Sequence, residues 1–458
     1  EERKELAGLK NYLTRYEDGY FYDPRFKILK IWNGKNTQFE SEDNTVPLGL
    51  WKEVYKCCYD FGYPFEFVNK KDFPLNKSVK EAEFNEFVLE FFKEYKYKGK
   101  QFELRDYQIR SAYNILKNRY CNIAVATAGG KTLIYALVLF YLLKKHPDKK
   151  FLLVVPSKTL VTQFYDDLNN FNWQKEINLN AQEIFDLTEK PRTYDADKEV
   201  NLVIGTFQSL IKYKKPWFQQ FWSITTDEGH KSDSASYKKI LKRTFLNAYY
   251  RWGMSGSYAA DDTEEMMQIM AHTGPLVDTV KAKELMDKGY ITKVKIKRIL
   301  LNHNNYEFAE NLKMVAARDK KACYDLECAK IQESDDRLII INKIVSECKQ
   351  NTLVLFHNTE YGEKLLAHLE KNNPDKIFHY IDGKISNKKR TPIKAMMENT
   401  DVVNVLVASY GTLSTGVSID AITNVIFTQS FKKAQLIIQS IGRALRLHPD
   451  KKFAYILI

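Results

Sequence analysis

The chain has 458 residues, a formal net charge of +12, 44% hydrophobic residues and 28% charged residues. This is the composition of a soluble globular chain long enough for about three domains, and its basic balance favours a polyanionic partner. The six cysteines form no CxxC pair and no cluster with histidine, which argues against structural zinc and for reduced thiols. The longest apolar stretch, Leu133 to Leu143, is too short to cross a bilayer, and no signal peptide is visible. The chain starts at Glu1 and stops inside an apparent strand, Ala454–Ile458, so both ends are expected to be missing.

Residues 1–98 are rich in aromatics and nearly balanced in charge, which places the positive excess in the remainder. Tyr20–Tyr22 and Ile28–Trp32 read as strands, with Trp32-Asn33-Gly34-Lys35 as a hairpin turn. Leu48 to Phe61 reads as an amphipathic helix, with Leu50, Val54, Cys57, Cys58 and Phe61 on one face and Gly62 as its stop. A second helix is expected over Val79–Tyr95. The segment is a small α/β domain with a helical connector. Arg25, Lys27, Lys30 and Lys35 could contact nucleic acid, or could be merely solvated beside aromatics that form a small core.

Leu104-Arg105-Asp106-Tyr107-Gln108 opens a helix. The Gln108 amide can pair both edges of an adenine, and Tyr107 can pack on the base. Cys121, Ile123, Ala124 and Val125 then form a short strand into ATAGGKT, residues 126–132, and Leu133–Leu143 leave it as a helix. Gly129 and Gly130 permit a tight turn whose N–H groups face an anion. Lys131 would neutralise β- and γ-phosphates, and the Thr132 hydroxyl would ligate Mg²⁺. Two positions depart from the usual loop: Val125 stands for the first glycine and Ala128 for another.

The strand Phe151–Val155 ends in Pro156-Ser157-Lys158-Thr159-Leu160, and Leu202–Ile204 ends in Gly205-Thr206-Phe207-Gln208. Ser157, Lys158, Thr206 and Phe207 at such strand ends suit a phosphodiester backbone, and capping by Ser157 and Thr206 is compatible with that. Ile224–Thr226 lead to Asp227-Glu228-Gly229-His230, where Asp227 can hold Mg²⁺ and Glu228 can orient water. Ser255-Gly256-Ser257 is a hydroxyl-rich turn. A boundary is expected near residue 285, giving domains 1–98, 99–284 and 285–458. Residues 303–335 read as charged helices, with 316–330 as a surface projection. Further strands end in His357-Asn358, in Asp382-Gly383-Lys384, and in Ser409 with Thr412 and Gly416 beyond it. Gln439, Arg443 and Arg446 lie on a last helix, the arginines three apart on one face, where they could stabilise charge on a γ-phosphate.

ATAGGKT, VVPSKTL, GTFQS, DEGH, SGS, VLFHN, SYGTLSTG and QSIGRALR resemble motifs I, Ia, Ib, II, III, IV, V and VI of superfamily 2 helicases. DGYFYDPRFKILKIWNGK and PLGLWKEVYKCCYDFGY resemble the accessory domain of the UvsW-like branch-migration helicases of phages, with a T5-like phage among the sources this suggests. The resemblance implies an α/β fold of two RecA-like parallel-sheet domains in tandem after a small N-terminal α/β domain. It implies ATP and Mg²⁺ as cofactors and a DNA helicase activity on forks, displacement loops and four-way junctions, in recombination, repair or replication. Tyr107, Gln108, Ala128, Gly129, Gly130, Lys131, Thr132 and Gly416 would bind ATP, and Thr132 and Asp227 the metal. Lys131, Asp227, Glu228, Gln439, Arg443 and Arg446 would be catalytic. Ser157, Lys158, Thr206, Phe207, His357, Asn358, Gly383, Lys384, Ser409, Thr412, Arg25, Lys27 and Lys35 would contact DNA. The partners are single-stranded, forked and junction DNA, with no membrane. The protein is expected to work as a monomer in the cytoplasm, that of the host cell for a phage protein. Gly229-His230 departs from the Ala-Asp of the RNA helicases with the DEAD signature, and Ser418 replaces a ribose-binding aspartate. A duplex translocase, an ATP-gated clamp without catalysis and an RNA remodeller stay open as alternatives.

Overall fold

The computed structural model describes residues 2–458 apart from 69–74, 76–77, 93–95, 98–99, 102, 171–178, 185–192, 196–198, 230–247, 259, 261, 302–305, 386, 411–418 and 430–433. His230, Thr412, Gly416 and Ser418 therefore lie outside the described residues. Contacts group the chain into two compact units, Glu1–Lys281 and Ala282–Ile458.

In the first unit, β1 (Thr14–Tyr16) and β2 (Lys35–Thr37) form an antiparallel pair, and β3 (Lys96–Tyr97) and β4 (Lys100–Gln101) form another. The main sheet uses β5 (Tyr120–Val125), β6 (Lys150–Val155), β7 (Ala181–Ile184), β8 (Leu202–Thr206), β9 (Phe221–Asp227), β10 (Tyr250–Ser255) and β11 (Leu276–Val280). These pair in the order β11-β5-β10-β9-β6-β8-β7, every pairing parallel. Runs such as Phe151 to Val155 are buried along their whole length, as strands covered by helices on both faces must be. The helix Lys131–Lys145 buries every residue from Ile134 to Leu143, so its apolar run is a core helix.

The second unit holds β12 (Lys293–Lys297), β13 (Thr352–Phe356), β14 (Ile377–Ile381), β15 (Asn404–Ser409), β16 (Asn424–Phe427) and β17 (Phe453–Leu457). Their order is β12-β17-β16-β13-β15-β14, again parallel throughout. Two parallel sheets fed by helices are the RecA-like architecture expected of the chain. The charged helices Tyr306–Arg318 and Lys320–Glu333 contain no fully buried residue.

The N-terminal segment departs from expectation. Tyr20–Tyr22 is a turn of 3₁₀ helix, and Ile28–Trp32 is not a strand. Asp23 caps a short helix, Pro24–Lys27, by accepting from the Arg25 N–H, and Pro24 occupies its first turn. That local start signal outweighs the β-branched run behind it. The helix expected from Leu48 starts at Trp51, after a turn of 3₁₀ helix over Leu48–Leu50, and runs to Phe61. It ends at Gly62 in a left-handed conformation as expected, but Phe61 points outward, 59% exposed. Leu13 and Leu50 share one core with Met266, Met267, Met270 and Ala271 of the helix Glu264–Thr273. At Gly49 an added Cβ would sit 2.0 Å from the Met270 carbonyl, so only glycine permits that approach.

Candidate phosphate loop and acid pair

The C-terminal ends of parallel strands in such a sheet leave crevices where ligands bind. In the first unit, β5, β9 and β10 are neighbours and bring three of the sequence motifs together at one edge. The loop 126–130 leaves β5 and feeds the helix that begins at Lys131. Its turn is made by Ala128 at φ 66° and Gly130 at φ 77°, rather than by the Gly129–Gly130 pair that the sequence suggests. The alanine at this position bears the left-handed strain of about 1–2 kcal/mol that a glycine would avoid. The Gly129 N–H closes on the Ala126 carbonyl at 2.9 Å, and the Leu133 and Ile134 N–H groups return to the Gly130 carbonyl. An added Cβ on Gly130 would come within 2.5 Å of the Gln108 side chain, so the loop lies tight against the preceding helix.

That helix, Asp106–Asn118, grips the loop from behind. The buried Tyr107 hydroxyl donates to the Gly129 carbonyl at 2.7 Å, and Gln108 Nε2 donates to the same oxygen at 3.3 Å. Gln108 Oε1 accepts the Arg105 N–H at 3.0 Å as part of a capping box. Both edges of the amide expected to pair with adenine thus bond to the chain itself, and Tyr107 is fully buried rather than presented as a stacking face. Sequence reasoning missed Arg105, although an arginine three residues before a glutamine at a helix start is where the reciprocal bond would form.

Asp227 ends β9, 3% exposed, and Glu228 follows it at φ 53°, a conformation unusual for a non-glycine residue. The Lys131 ammonium lies 3.5 Å from Glu228 Oε1, both side chains being mostly buried. Burial presses the lysine pKa down, but Glu228 and then Asp227 pull it up by more, and the net shift is upward. Lys131 therefore stays a cation beside two carboxylates. Hard oxygen donors at Asp227 and at Thr132, the residue after Lys131, suit a small divalent cation such as Mg²⁺. Among the described residues no group of three or more His, Cys, Asp or Glu could hold a metal by itself, so an ion here would need further oxygens from its ligand.

The β10 turn closes the edge. Ser255 Oγ donates to the Ser257 carbonyl at 2.9 Å, and a Cβ on Gly256 would lie 3.2 Å from Thr127 Oγ1 of the phosphate loop. Tyr258 reaches back: its hydroxyl donates to Asn122 Oδ1 at 3.0 Å and blocks any side chain at Gly229. Asn122 also accepts from Thr273 and donates to the Gly274 carbonyl at 2.6 Å. Sequence reasoning passed over Asn122 and Tyr258. Asn122 is the polar residue inside an otherwise apolar strand, and a buried amide of that kind must be partnered.

Thr206 caps the helix Phe207–Leu210 through the Ser209 N–H and is 3% exposed, and Phe207 is half-buried. Ser157 Oγ accepts the Leu160 N–H at 3.4 Å, and Lys158 starts the helix Lys158–Asn170. In the second unit, Asn358 caps the helix Thr359–Asn372, while the exposed His357 donates its N–H to Gln429 Oε1 at 2.8 Å. Gly383 and Lys384 are exposed beyond β14, and half-buried Ser409 ends β15. The helix Ala434–Ala444 carries Gln439 and Arg443, both half-buried. It stops before Arg446, which does not share its face: Arg446 pairs with Asp420 at 3.1 Å. In the N-terminal segment Arg25 is committed to Asp23 through two bonds of 3.0 and 2.9 Å, while Lys27 and Lys35 are exposed.

A family model described as type III restriction enzyme, res subunit, matches residues 101–259, and one described as helicase conserved C-terminal domain matches residues 335–448. The ATP-dependent DNA helicase uvsW of Enterobacteria phage T4 is 29% identical over 454 residues, covering 97% of this chain and 85% of that protein. The DNA 3'-5' translocase XPB2 of Sulfurisphaera tokodaii is 30% identical over 206 residues, 45% of this chain and 42% of that protein. The crystal structure of T4 UvsW aligns at a TM-score of 0.53 and 26% identity, covering 100% of this chain and 86% of that one.

Proposed function

We propose that this chain, which belongs to the superfamily 2 helicases and resembles phage UvsW along nearly its whole length, uses ATP hydrolysis to unwind and remodel branched DNA. One observation carries the catalytic part: Lys131, after β5, and the Asp227–Glu228 pair, at the end of β9, converge across the end of β10 beside the glycine-rich turn. Loop N–H groups and Lys131 would hold the β- and γ-phosphates, and Glu228, released from Lys131 by them, would orient the attacking water. Thr132 and Asp227 would hold Mg²⁺, which supplies charge neutralisation to the phosphates. Tyr107 and Gln108 act by fixing the loop through Gly129, which places any base contact second to that role. Arg443, Arg446 and Gln439 would serve the transferring phosphoryl group, as the resemblance implies.

Thr206, Phe207, Ser157, Lys158, His357, Asn358, Gly383, Lys384 and Ser409 would track one strand in the 3′ to 5′ direction, with backbone contacts that do not read bases. Lys27 and Lys35 would hold duplex beside it. The excess of +12 supports a polyanionic partner. The likeness to a protein named as a translocase favours a second reading, movement along duplex without strand separation. Phosphate release measured without nucleic acid, then with single strands, linear duplex, a fork, a four-way junction and RNA, separates these. Strongest stimulation by forks and junctions is expected. Equal stimulation by linear duplex favours the translocase, and stimulation by RNA alone overturns the substrate class.

A further inference from the structure

Between β1 and β2 the chain makes an excursion whose tip carries apolar side chains in water. Ile28, Leu29 and Ile31 are 71%, 58% and 73% exposed, and Phe21 and Tyr22 in the same excursion are 50% and 58% exposed. The backbone behind them is firmly held. The Ile28 and Leu29 N–H groups both donate to the Pro24 carbonyl at 2.9 Å, and the Ile31 N–H donates to the Arg25 carbonyl at 3.0 Å. Lys30, at φ 52°, turns the chain at the tip. The Arg25 guanidinium, tied to Asp23, lies 4.5 Å from the Trp32 ring centre and braces the base of the excursion. The platform is anchored in turn. Arg15 pairs with Asp262 at 3.1 Å, and Asn36 donates to Glu264 at the start of the helix Glu264–Thr273, which follows the β10 turn.

Three exposed aliphatic residues on a braced turn need an apolar occupant. Lys27 and Lys30, both exposed, alternate with them, and the Lys35 ammonium sits 4.8 Å over the Tyr16 ring. Of the three carboxylates just before the tip in the chain, Asp23 is held by Arg25 and Glu17 by the Asn36 amide, and Asp18 is exposed. Apolar side chains interleaved with ammonium groups match a nucleic acid where its strands part. There the outer base pair shows a bare apolar face, and phosphates flank it on both sides. An intact stacked duplex offers the phosphates without the face.

We propose that the tip Lys27–Ile31 is the element that meets the parting base pair of branched DNA, with Ile28, Leu29 and Ile31 against the base and Lys27 and Lys30 on the flanking phosphates. This rests on the DNA helicase reading. The test compares wild type with Ile28→Ser/Leu29→Ser/Ile31→Ser, a surface change that leaves the core untouched. Strand displacement is measured on a fork carrying 2-aminopurine at its junction pair, and phosphate release with single-stranded DNA is measured in parallel. A tenfold or greater loss of displacement and of the 2-aminopurine response, with phosphate release within twofold of wild type, is expected. Lys27→Ala/Lys30→Ala should weaken fork binding and flatten its dependence on salt by up to two phosphates' worth. Normal displacement by the serine variant overturns the tip assignment and leaves the helicase reading standing. A wild type that hydrolyses ATP without separating any strands overturns both. If the serine variant instead changes only the sedimentation of the protein, from dimer to monomer, the patch belongs to a second copy and the proposal fails.

Discussion

The two parallel sheets carry their motifs at the same kind of edge but furnish it differently. In the first unit the strand ends hold charge that is buried and already matched: Lys131 against Glu228, with Asp227 beside them and Tyr107 and Gln108 fixing the turn. In the second, the ends of β13 and β14 hold caps and exposed polar groups: Asn358, His357, Gly383 and Lys384. Its arginines stand later in the chain, and Arg446 is held by a surface carboxylate rather than a buried one. The first arrangement suits chemistry that must be preorganised in a low-dielectric pocket. The second suits contact with a large, hydrated, charged ligand whose position changes.

If charge in the first unit is the catalytic store, Lys131→Ala should lower DNA-stimulated phosphate release at least about a thousandfold. The stability read from urea unfolding, with a mostly buried carboxylate left unmatched, should fall by about 3–5 kcal/mol. A variant that kept turnover would erase the contrast between the two edges. Arg446→Ala sharpens it from the other side. A fall of about a hundredfold in kcat with nucleotide affinity unchanged is expected, whereas Asp420→Asn, which only frees the guanidinium, should leave kcat near wild type.

The second unit also contains a buried charge that is not catalytic. Lys451 donates to the Asp420 and Ile422 carbonyls at 2.7 and 3.0 Å, and burial, outweighing Asp420 and Glu398, presses its pKa down to about 8 from 10.5. Between these values the unfolded chain binds the proton and the folded chain does not. Stability should therefore rise with pH from about 8 to 10.5, by about 3 kcal/mol, and be flat below 8. Urea midpoints of wild type and Lys451→Met across that range check the sign, since the variant should lose the slope. The smallest effect is expected at Tyr258→Phe, which removes one hydrogen bond to Asn122. Stability should drop by about 1 kcal/mol, and turnover several-fold if the tyrosine also holds the backbone at Gly229.

Much of this was legible in the sequence because the strands are short apolar runs that end in polar motifs, and burial on both faces forces that pattern. Phe151–Val155, Ile224–Thr226 and Leu353–Phe356 all fall inside observed strands. Illegible were features set by side chains meeting across the fold. The capping bond of Arg105 diverts the Gln108 amide, and a Gly-Gly-Lys-Thr string does not reveal that Ala128 takes the left-handed turn. Tyr20–Tyr22 looked like a strand because aromatics favour sheets, but the Asp23–Pro24 start signal is local and decisive. Arg446 seemed to extend a helix that closes two residues earlier.

The position of β5 bears on how the chain is made. Its partners are β10 and β11, which lie more than a hundred residues downstream, and the N-terminal residues Leu13 and Leu50 rest on the helix between those two strands. During synthesis β5 therefore emerges long before either strand that pairs with it. The apolar run of β5 and the helix behind it must wait, unpaired, until residues 250–280 leave the ribosome. At a translation rate of about 5–20 residues per second that interval lasts roughly 6–30 seconds. The nascent first unit is thus a natural client for a chaperone, and a polypeptide stopped short of β11 would be an aggregation hazard rather than a weak enzyme.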